Sequence, residues 1–259
     1  MVKAHPLDLI DAAAAGGFDF CGIRLVAPRP GDPLVDVLGE PQIIREIGAR
    51  LKNSGVRLLD IEAIWISPTT DVETLRHPLE VGAELGAQYV LVVGFDEERE
   101  RLLERFSRIC DIAKPLGLIV MIEFITYCSI KTIGEAARLV ADSGRENAGV
   151  LIDTLQFFRS GASPSELDDY EPSLFRYMQL CDGRSTPPQT LDERRNEARR
   201  DRLLPGQGEL PVANLLARLP STIPLSVEAP TRDLYGLPFR EQGRIAGEVT
   251  RRFLATLGR

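Results

Sequence analysis

Short runs of apolar, mostly β-branched residues alternate along the chain with longer stretches in which apolar residues recur every three or four positions. The short runs predict β-strands, and the longer stretches predict amphipathic helices. From the third run to the sixth, the starts lie about 30 residues apart, the length of one βα unit. The seven predicted strands are Cys21–Val26, Leu58–Ile66, Tyr89–Gly94, Leu118–Phe124, Gly149–Thr154, Arg176–Asp182 and Pro224–Ala229.

The alternation of strands and helices predicts a parallel sheet that is covered by helices on its outer side. Glu97–Lys114 and Ile130–Ser143 are two of the predicted helices, and Leu118–Ile122 reads as a strand buried on both faces. Several strands end in polar residues, and no glycine-rich GxGxxG turn follows the first of them, which favours a closed (β/α)8 TIM barrel over an open doubly wound sheet. The length of 259 residues fits a single barrel domain over residues 1–259.

The first strand of this barrel is expected to be short or missing. The chain opens with a helix-like stretch at Pro6–Ala15, and Val2–Ala4 is barely long enough for a strand. The sequence leaves three explanations open: a short first strand, a natural start further upstream, or a barrel that is open at this seam. The connection Gly183–Gln207 also breaks the rhythm, and connections of this length are usually functional lids or disordered segments.

Composition narrows the functional classes. A formal charge of −7 argues against a nucleic-acid partner, which would need a basic surface. No apolar run approaches the roughly 18 residues of a membrane span, and no signal-peptide pattern opens the chain, so we expect no membrane partner and a cytoplasmic location. The four cysteines are widely spaced, as is typical of reduced cytosolic thiols.

Four successive predicted strands end in a residue that can bind a hard cation, namely Glu123, Asp153, Gln179 and Glu228. In a barrel, all four side chains are expected to point inward near the C-terminal rim. Burying an unpaired carboxylate is costly, so three converging carboxylates require a positive charge between them, and a divalent metal supplies it. Taken singly, each acid has an ordinary alternative as a helix cap or an ion-pair partner. Together, the four predict a metal site.

The chain resembles the xylose isomerase-like TIM barrel superfamily, specifically its sugar phosphate isomerase/epimerase group. Leu204–Leu210 is similar to the Pro-Gly-x-Gly turn of that family, and the likeness extends over nearly the whole chain after Pro6. The segments that carry it are Gly117–Phe124, Gly149–Gly161, Tyr177–Ser185, Arg202–Leu210 and Leu225–Pro230. The resemblance implies an isomerase or epimerase of a small polyhydroxy ketone or aldehyde.

By the same resemblance, Glu123, Asp153, Gln179 and Glu228 take the four metal-ligand positions. The third ligand is usually His in these epimerases, and the amide oxygen of Gln179 favours Mg²⁺ or Mn²⁺ over Zn²⁺. Many epimerases also carry a His at the position of Gln156, which cannot titrate. Proton transfer is therefore assigned to Glu123 and Glu228, one removing a proton and the other returning it.

Further candidates for substrate binding are Gln156, Arg184, Arg202, Trp65 and Glu62. Each also has an ordinary explanation: the arginines as solvated residues of the long connection, and Trp65 as a rim or core aromatic. For Glu62, the simplest account is an internal ion pair with Arg24.

The sequence was also weighed against three other functions: a lyase, a non-catalytic barrel and a nuclease. A lyase of the 3-dehydroshikimate dehydratase type resembles this chain in having Gln as the third ligand, but Ile125 and Gln156 offer no histidine base. A non-catalytic ligand-binding barrel stays open as well. A nuclease is disfavoured, because the related abasic-site endonucleases use many histidines and this chain has two. We expect a small-molecule substrate, whose identity the sequence does not reveal. A homo-oligomer is an open alternative to a monomer, since barrels of this group commonly associate.

Overall fold

The computed structural model describes residues 4–28 and 31–259, and within them seven parallel strands form a nearly closed barrel. Each strand is hydrogen-bonded to the next in chain order. The strands are β1 Phe20–Ile23, β2 Arg57–Ile66, β3 Tyr89–Gly94, β4 Ile119–Glu123, β5 Ala148–Asp153, β6 Met178–Leu180 and β7 Leu225–Val227. The predicted TIM barrel fold is confirmed.

Side chains alternate between the two faces of the barrel wall, as expected for strands buried on both sides. Leu91 and Met121 pack with Tyr177 in the cluster enclosed by the strands. Val90 and Val120, one residue earlier in each strand, belong to the larger cluster between strands and helices. The continuous apolar sequence of these strands therefore reflects two cores, one inside the barrel and one around it.

Helices connect the strands and cover the barrel. Within the described residues they are α1 Pro6–Ala15, α2 Pro41–Ser54, α3 Arg76–Glu84, α4 Arg99–Ala113, α5 Ile133–Ser143, α6 Thr154–Arg159, α7 Leu191–Arg200, α8 Val212–Leu216 and α9 Phe239–Thr256. Their ends follow ordinary sequence signals. In α5, Thr132 and Glu135 form a capping box, and Gly144 ends the helix with a φ of 62°.

The sheet has a seam between β1 and β7, which form its two edges. α1 and α9 pack against each other, the first leading into β1 and the second following β7. Of the first strand considered at Val2–Ala4, Val2 and Lys3 lie outside the described residues, and Ala4 lies in a bend before α1. No strand precedes α1 in the part of the chain that the structure describes.

The long connection 183–207 contains α7, which begins with a capping box of Thr190 and Glu193. An antiparallel bridge between Asp182 and Leu203 returns the chain to the barrel. All four cysteines are free and buried. None of the helices in the described ranges is long and apolar enough to cross a membrane.

Candidate metal centre

Three carboxylates meet at the C-terminal end of the barrel. Glu123 ends β4, Asp153 ends β5, and Glu228 directly follows β7. One oxygen of each lies within 4.8 Å of an oxygen of both others. Glu123 and Asp153 are buried, whereas the side chain of Glu228 is 35% exposed. The structure thus brings together the three acids that the sequence predicts to converge, and their role as ligands stays a prediction.

Gln179, the fourth predicted ligand, lies beside these acids on β6. The strand registers pair Gln179 with Asp153 on one side and with Ser226 on the other. The residue is 1% exposed, and its Oε1 has no hydrogen-bond partner among the described residues. A buried acceptor without a donor costs about 1–3 kcal/mol. Binding to a cation would remove this cost.

Arg202 reaches into the same cluster. Its Nη1 donates to Asp153 Oδ2 at 2.5 Å and lies 3.2 Å from Glu228 Oε2. The same nitrogen donates to the backbone oxygen of Glu228 at 3.0 Å, and Nε donates to the backbone oxygen of Ala198 at 2.7 Å. With its side chain 5% exposed, Arg202 is a buried positive charge held by two of the three acids. From the sequence, it was a candidate for binding substrate, and this charge-balancing position was not foreseen.

Burial and the charge of neighbouring acids raise the pKa values of Glu123 and Glu228. Burial raises the pKa of Glu123 well above its usual value, Asp153 and Glu228 raise it further, and Arg202 acts in the opposite direction. Burial also raises the pKa of Glu228 to about 7, against Arg202 and with Asp153 and Glu62 adding to the rise. Solvent reaches part of the Glu228 side chain, which weakens the effect of burial on the pKa of that group.

The donor set fits a divalent cation. The three carboxylates carry three negative charges, and the guanidinium group of Arg202 neutralises one of them. A divalent cation would balance the remaining two. The fourth donor is the orphaned amide oxygen of Gln179, so all four are the hard oxygen ligands that Mg²⁺, Mn²⁺ and Ca²⁺ accept.

Asp153 has a second, structural role. Its Oδ1 accepts a hydrogen bond from the backbone N–H of Gln156 at 2.9 Å and so caps α6, while Oδ2 binds Arg202. Gln156 is buried, and its Oε1 accepts from the N–H of Thr126 at 3.3 Å, which joins α6 to the loop after β4. Asp153 therefore caps α6 and is also a member of the acid cluster.

Glu62 lies near the cluster on β2, close enough for its charge to raise the pKa values of Glu123 and Glu228. The internal ion pair expected between Glu62 and Arg24 is wrong: no salt bridge between described residues joins them, and the buried Nε of Arg24 has no partner in those ranges. Asp60, two residues before Glu62, is a buried acid that sequence reasoning missed, and its Oδ2 accepts from Tyr177 Oη at 2.7 Å.

The remaining candidates lie at the rim. Trp65 contacts Phe95, with ring centroids 5.2 Å apart, and Phe95 is 41% exposed. These two rings give the mouth an aromatic side. Arg184 is 65% exposed and turns toward Asp201 of the long connection, with Nη1 3.3 Å from Asp201 Oδ2. The structure therefore places Arg184 in an ion pair outside the acid cluster.

Comparison with known proteins gives this site a context. The family model described as xylose isomerase-like TIM barrel matches residues 10–253. An inosose isomerase of Halalkalibacterium halodurans is 28% identical over 254 residues, covering 90% of this chain and 86% of that protein. An inosose isomerase of Bacillus licheniformis is 27% identical over 192 residues, covering 69% of this chain and 67% of that protein.

Solved structures share the fold. The IolI protein with a bound zinc atom has a TM-score of 0.77 at 20% identity, covering 97% of this chain and 91% of that one. A D-allulose 3-epimerase from Methylomonas sp. has a TM-score of 0.69 at 17% identity, covering 96% of this chain and 90% of that one. At such identities these structures bear on the architecture alone.

Proposed function

The chain belongs to the xylose isomerase-like TIM barrel family, and we propose that it is a divalent-metal-dependent isomerase or epimerase of a small, sugar-like polyhydroxy ketone or aldehyde. The observation that carries this proposal is the meeting of Glu123, Asp153 and Glu228 around one point. Gln179 lies next to Asp153 in the sheet, and its buried Oε1 has no hydrogen-bond partner among the described residues. The names of the curated relatives, all isomerases, support the same reaction class.

Glu123, Asp153, Gln179 and Glu228 would hold the cation. When bound, the cation would polarise a carbonyl and a neighbouring hydroxyl, which acidifies the C–H bond between them. Because the cation, Arg202 and the carboxylates together balance in charge, the site favours a substrate that binds through neutral oxygens at this point.

Glu123 and Glu228 would move the proton. One carboxylate removes it from carbon, and the other returns it on the opposite face for an epimerisation, or at the adjacent carbon for an isomerisation. Their environments differ, since Glu123 is 5% exposed and the side chain of Glu228 is 35% exposed. Two acids in unlike surroundings can keep different protonation states at one pH, which an acid–base pair requires.

Mg²⁺ or Mn²⁺ is the proposed metal. Zn²⁺ prefers nitrogen and sulfur ligands, whereas all four donors here are oxygens. The related IolI structure contains zinc, so the metal of this chain is a point of expected difference. The resemblance places Gln179 where these epimerases usually have a histidine, and we propose its amide oxygen as the cause of that difference. Trp65 is proposed to contact the substrate from the rim, and Gln156 from its buried position three residues after Asp153.

The test has two readouts. Metal-free protein should bind Mn²⁺, measured by electron paramagnetic resonance, and Glu123→Gln and Glu228→Gln should each weaken that binding at least ~10-fold. With Mn²⁺ and a panel of ketoses in D₂O, the wild type should exchange a carbon-bound proton, and both variants should lose roughly 10²- to 10⁴-fold in rate. Glu146→Gln, at a 91% exposed side chain, is the matched control and should behave as wild type.

Each outcome separates the alternatives. Wild-type exchange in either site variant would remove that glutamate from the mechanism. Absence of Mn²⁺ binding would favour a non-catalytic barrel. An aromatic product absorbing in the near ultraviolet from a dehydroshikimate-like substrate would identify a lyase.

A further inference from the structure

Glu62 lies on the barrel wall opposite the proposed metal ligands. Those ligands come from β4 to β7, whereas Glu62 belongs to β2, and the neighbouring strands β1 and β3 contain no charged residue. Asp60 of β2 and Tyr177 of β6 meet across the interior through a hydrogen bond. Because the strands are parallel and their side chains alternate, Glu62 and Gln179, each two residues further along, lie in the next layer toward the mouth. Glu62 therefore faces the metal centre from the other wall.

The backbone around Glu62 is irregular on both sides. In the pairing of β2 with β3, the three steps from Ile61 to Ile64 lie opposite only two steps of β3, which is a β-bulge. Bulges re-aim side chains and are over-represented next to active sites. On the other side, a Cβ at Gly22 of β1 would lie 3.5 Å from Glu62 Cδ. The strand β1 thus contributes no side chain at the point where the carboxyl group of Glu62 lies.

The charge of Glu62 reaches the metal centre and is not neutralised by the chain. Burial is the main cause of the raised pKa values of Glu123 and Glu228, and the charge of Glu62 adds to both. Glu62 forms no hydrogen bond or ion pair with any residue that the structure describes, including Arg24 at the end of β1. An unpaired carboxylate inside a barrel is unfavourable for folding, so its position indicates a partner from outside the chain.

We propose that Glu62 is a substrate-binding residue that accepts hydrogen bonds from hydroxyl groups at the end of the substrate remote from the metal. This inference rests on the proposed function and narrows its substrate class to neutral polyhydroxy ketones or aldehydes. A carboxylate accepts hydrogen bonds and donates none, so it binds hydroxyl groups and repels a phosphate or carboxylate group. Because the proposed cation and Arg202 balance the other three carboxylates, the negative charge of Glu62 is the one that remains.

Three ligands with one carbon skeleton test this assignment: D-fructose, 6-amino-6-deoxy-D-fructose and D-fructose 6-phosphate. Titration calorimetry with saturating Mn²⁺ measures their affinities for the wild type, Glu62→Gln and Glu62→Ala. We expect the wild type to bind the amino sugar most tightly and the phosphate most weakly. In Glu62→Gln, the ratio of the affinities for the amino sugar and the phosphate should fall ~10-fold or more, because the charge that separates them is gone. Glu62→Ala also lacks the acceptor and should bind D-fructose ~10-fold more weakly.

Glu97→Gln is the matched control, because it removes the same charge from an exposed acid in the loop that follows β3. It should keep the wild-type ratio. Two further measurements distinguish substrate binding from a structural role. Mn²⁺ binding should weaken less in Glu62→Gln than in Glu123→Gln, because Glu62 is not a proposed ligand. The Tm of chelator-treated Glu62→Gln should rise, because an unpaired acid has been removed, whereas loss of a structural acid would lower it.

Several results would overturn this role of Glu62. They are an unchanged ratio in Glu62→Gln, an equal change in Glu62→Gln and Glu97→Gln, tighter binding of the phosphate than of D-fructose by the wild type, and failure of both D-fructose and the amino sugar to bind. A ratio that depends on Glu62 in protein unable to bind Mn²⁺ would support the role and overturn the metal-dependent function instead.

Discussion

Asp60 places a further carboxyl group inside the barrel. Its Oδ2 accepts from Tyr177 Oη, whereas its Oδ1 has no partner among the described residues. Burial, followed by the charge of Glu62, raises the pKa of Asp60 to about 8, and the hydrogen bond from Tyr177 lowers it. At neutral pH this group is therefore mostly protonated, so it adds little negative charge inside the barrel.

The titration of Asp60 should be visible in stability. An unfolded Asp titrates near pH ~4, so between about pH 4 and 8 the folded chain keeps a proton that the unfolded chain has released. Stability must then fall as the pH rises toward 8. We expect the Tm of chelator-treated protein to decline between pH 5.5 and 8, and to decline less steeply in Asp60→Asn. Asp192→Asn, at an exposed acid, should keep the wild-type slope, and an unchanged slope in Asp60→Asn would contradict the raised pKa.

At this scale, sequence reasoning finds residues whose position depends only on the strand they end. Glu123 and Asp153 belong to that class, because the carboxyl ends of parallel strands converge in any barrel. The face to which Asp60 points could not be predicted. The register of β1 with β2 shifts between Cys21 and Gly22, and such a bulge breaks the alternation of side chains.

The return of the long connection to the barrel depends on one buried side chain, that of Asp182. Its Oδ1 accepts from the N–H groups of Gly183 and Leu210, at 2.8 and 3.1 Å, and its Oδ2 accepts from Gly206 at 3.1 Å. Gly206 has a φ of 80°, and a Cβ at Gly208 would lie 2.4 Å from Asp182 Oδ1. These contacts account for both glycines of the Pro-Gly-x-Gly turn and fix the segment that carries Arg202.

Substitution of Asp182 should therefore give a graded loss. Asp182→Ala leaves three N–H groups without their acceptor, and we expect a loss of about 2–5 kcal/mol in the free energy of unfolding. Asp182→Asn keeps one carbonyl oxygen and should lose roughly half as much. Urea denaturation measures both, and limited proteolysis should cut residues 183–209 faster in the alanine variant. Equal stability of the two variants would show that the turn does not rely on these hydrogen bonds.

At the scale of elements, the strands were predictable and α7 was not. The predicted strand Tyr89–Gly94 has the same first and last residues as β3. Each of the other six predicted strands overlaps the corresponding strand of the structure. α7 buries little apolar surface, with Ala198 as its one buried apolar residue, so no hydrophobic periodicity indicates a helix. The signal that does indicate it is the spacing of Thr190 and Glu193, which is that of a capping box.

At the scale of the whole molecule, the seam between β1 and β7 has a consequence for the metal centre. β7 is hydrogen-bonded to β6 and not to β1, and Glu228 follows β7 directly. This edge position explains why Glu228 is the most exposed of the three acids. The packing of α1 against α9 then takes over part of the closure that an eighth strand would provide.

Two glycines make this packing close. A Cβ at Gly243 would lie 2.0 Å from the backbone oxygen of Ala12, and one at Gly247 would lie 2.0 Å from that of Gly16. Because the obstacles are backbone atoms of α1 and of Gly16, which caps its C-terminal end, a side chain at either position must push the helices apart.

Gly243→Ala and Gly247→Ala should therefore each lower the free energy of unfolding by about 1–3 kcal/mol. Gly48→Ala in α2 is the matched control, since the nearest atom to its added Cβ is 3.7 Å away. There the same substitution should stabilise the protein by about 0.5–1 kcal/mol, because alanine has the higher helix propensity. Urea denaturation of the three variants measures whether the free energy of unfolding falls or rises. A stabilised Gly247→Ala variant would show that α1 and α9 do not depend on close contact to close the barrel at its seam.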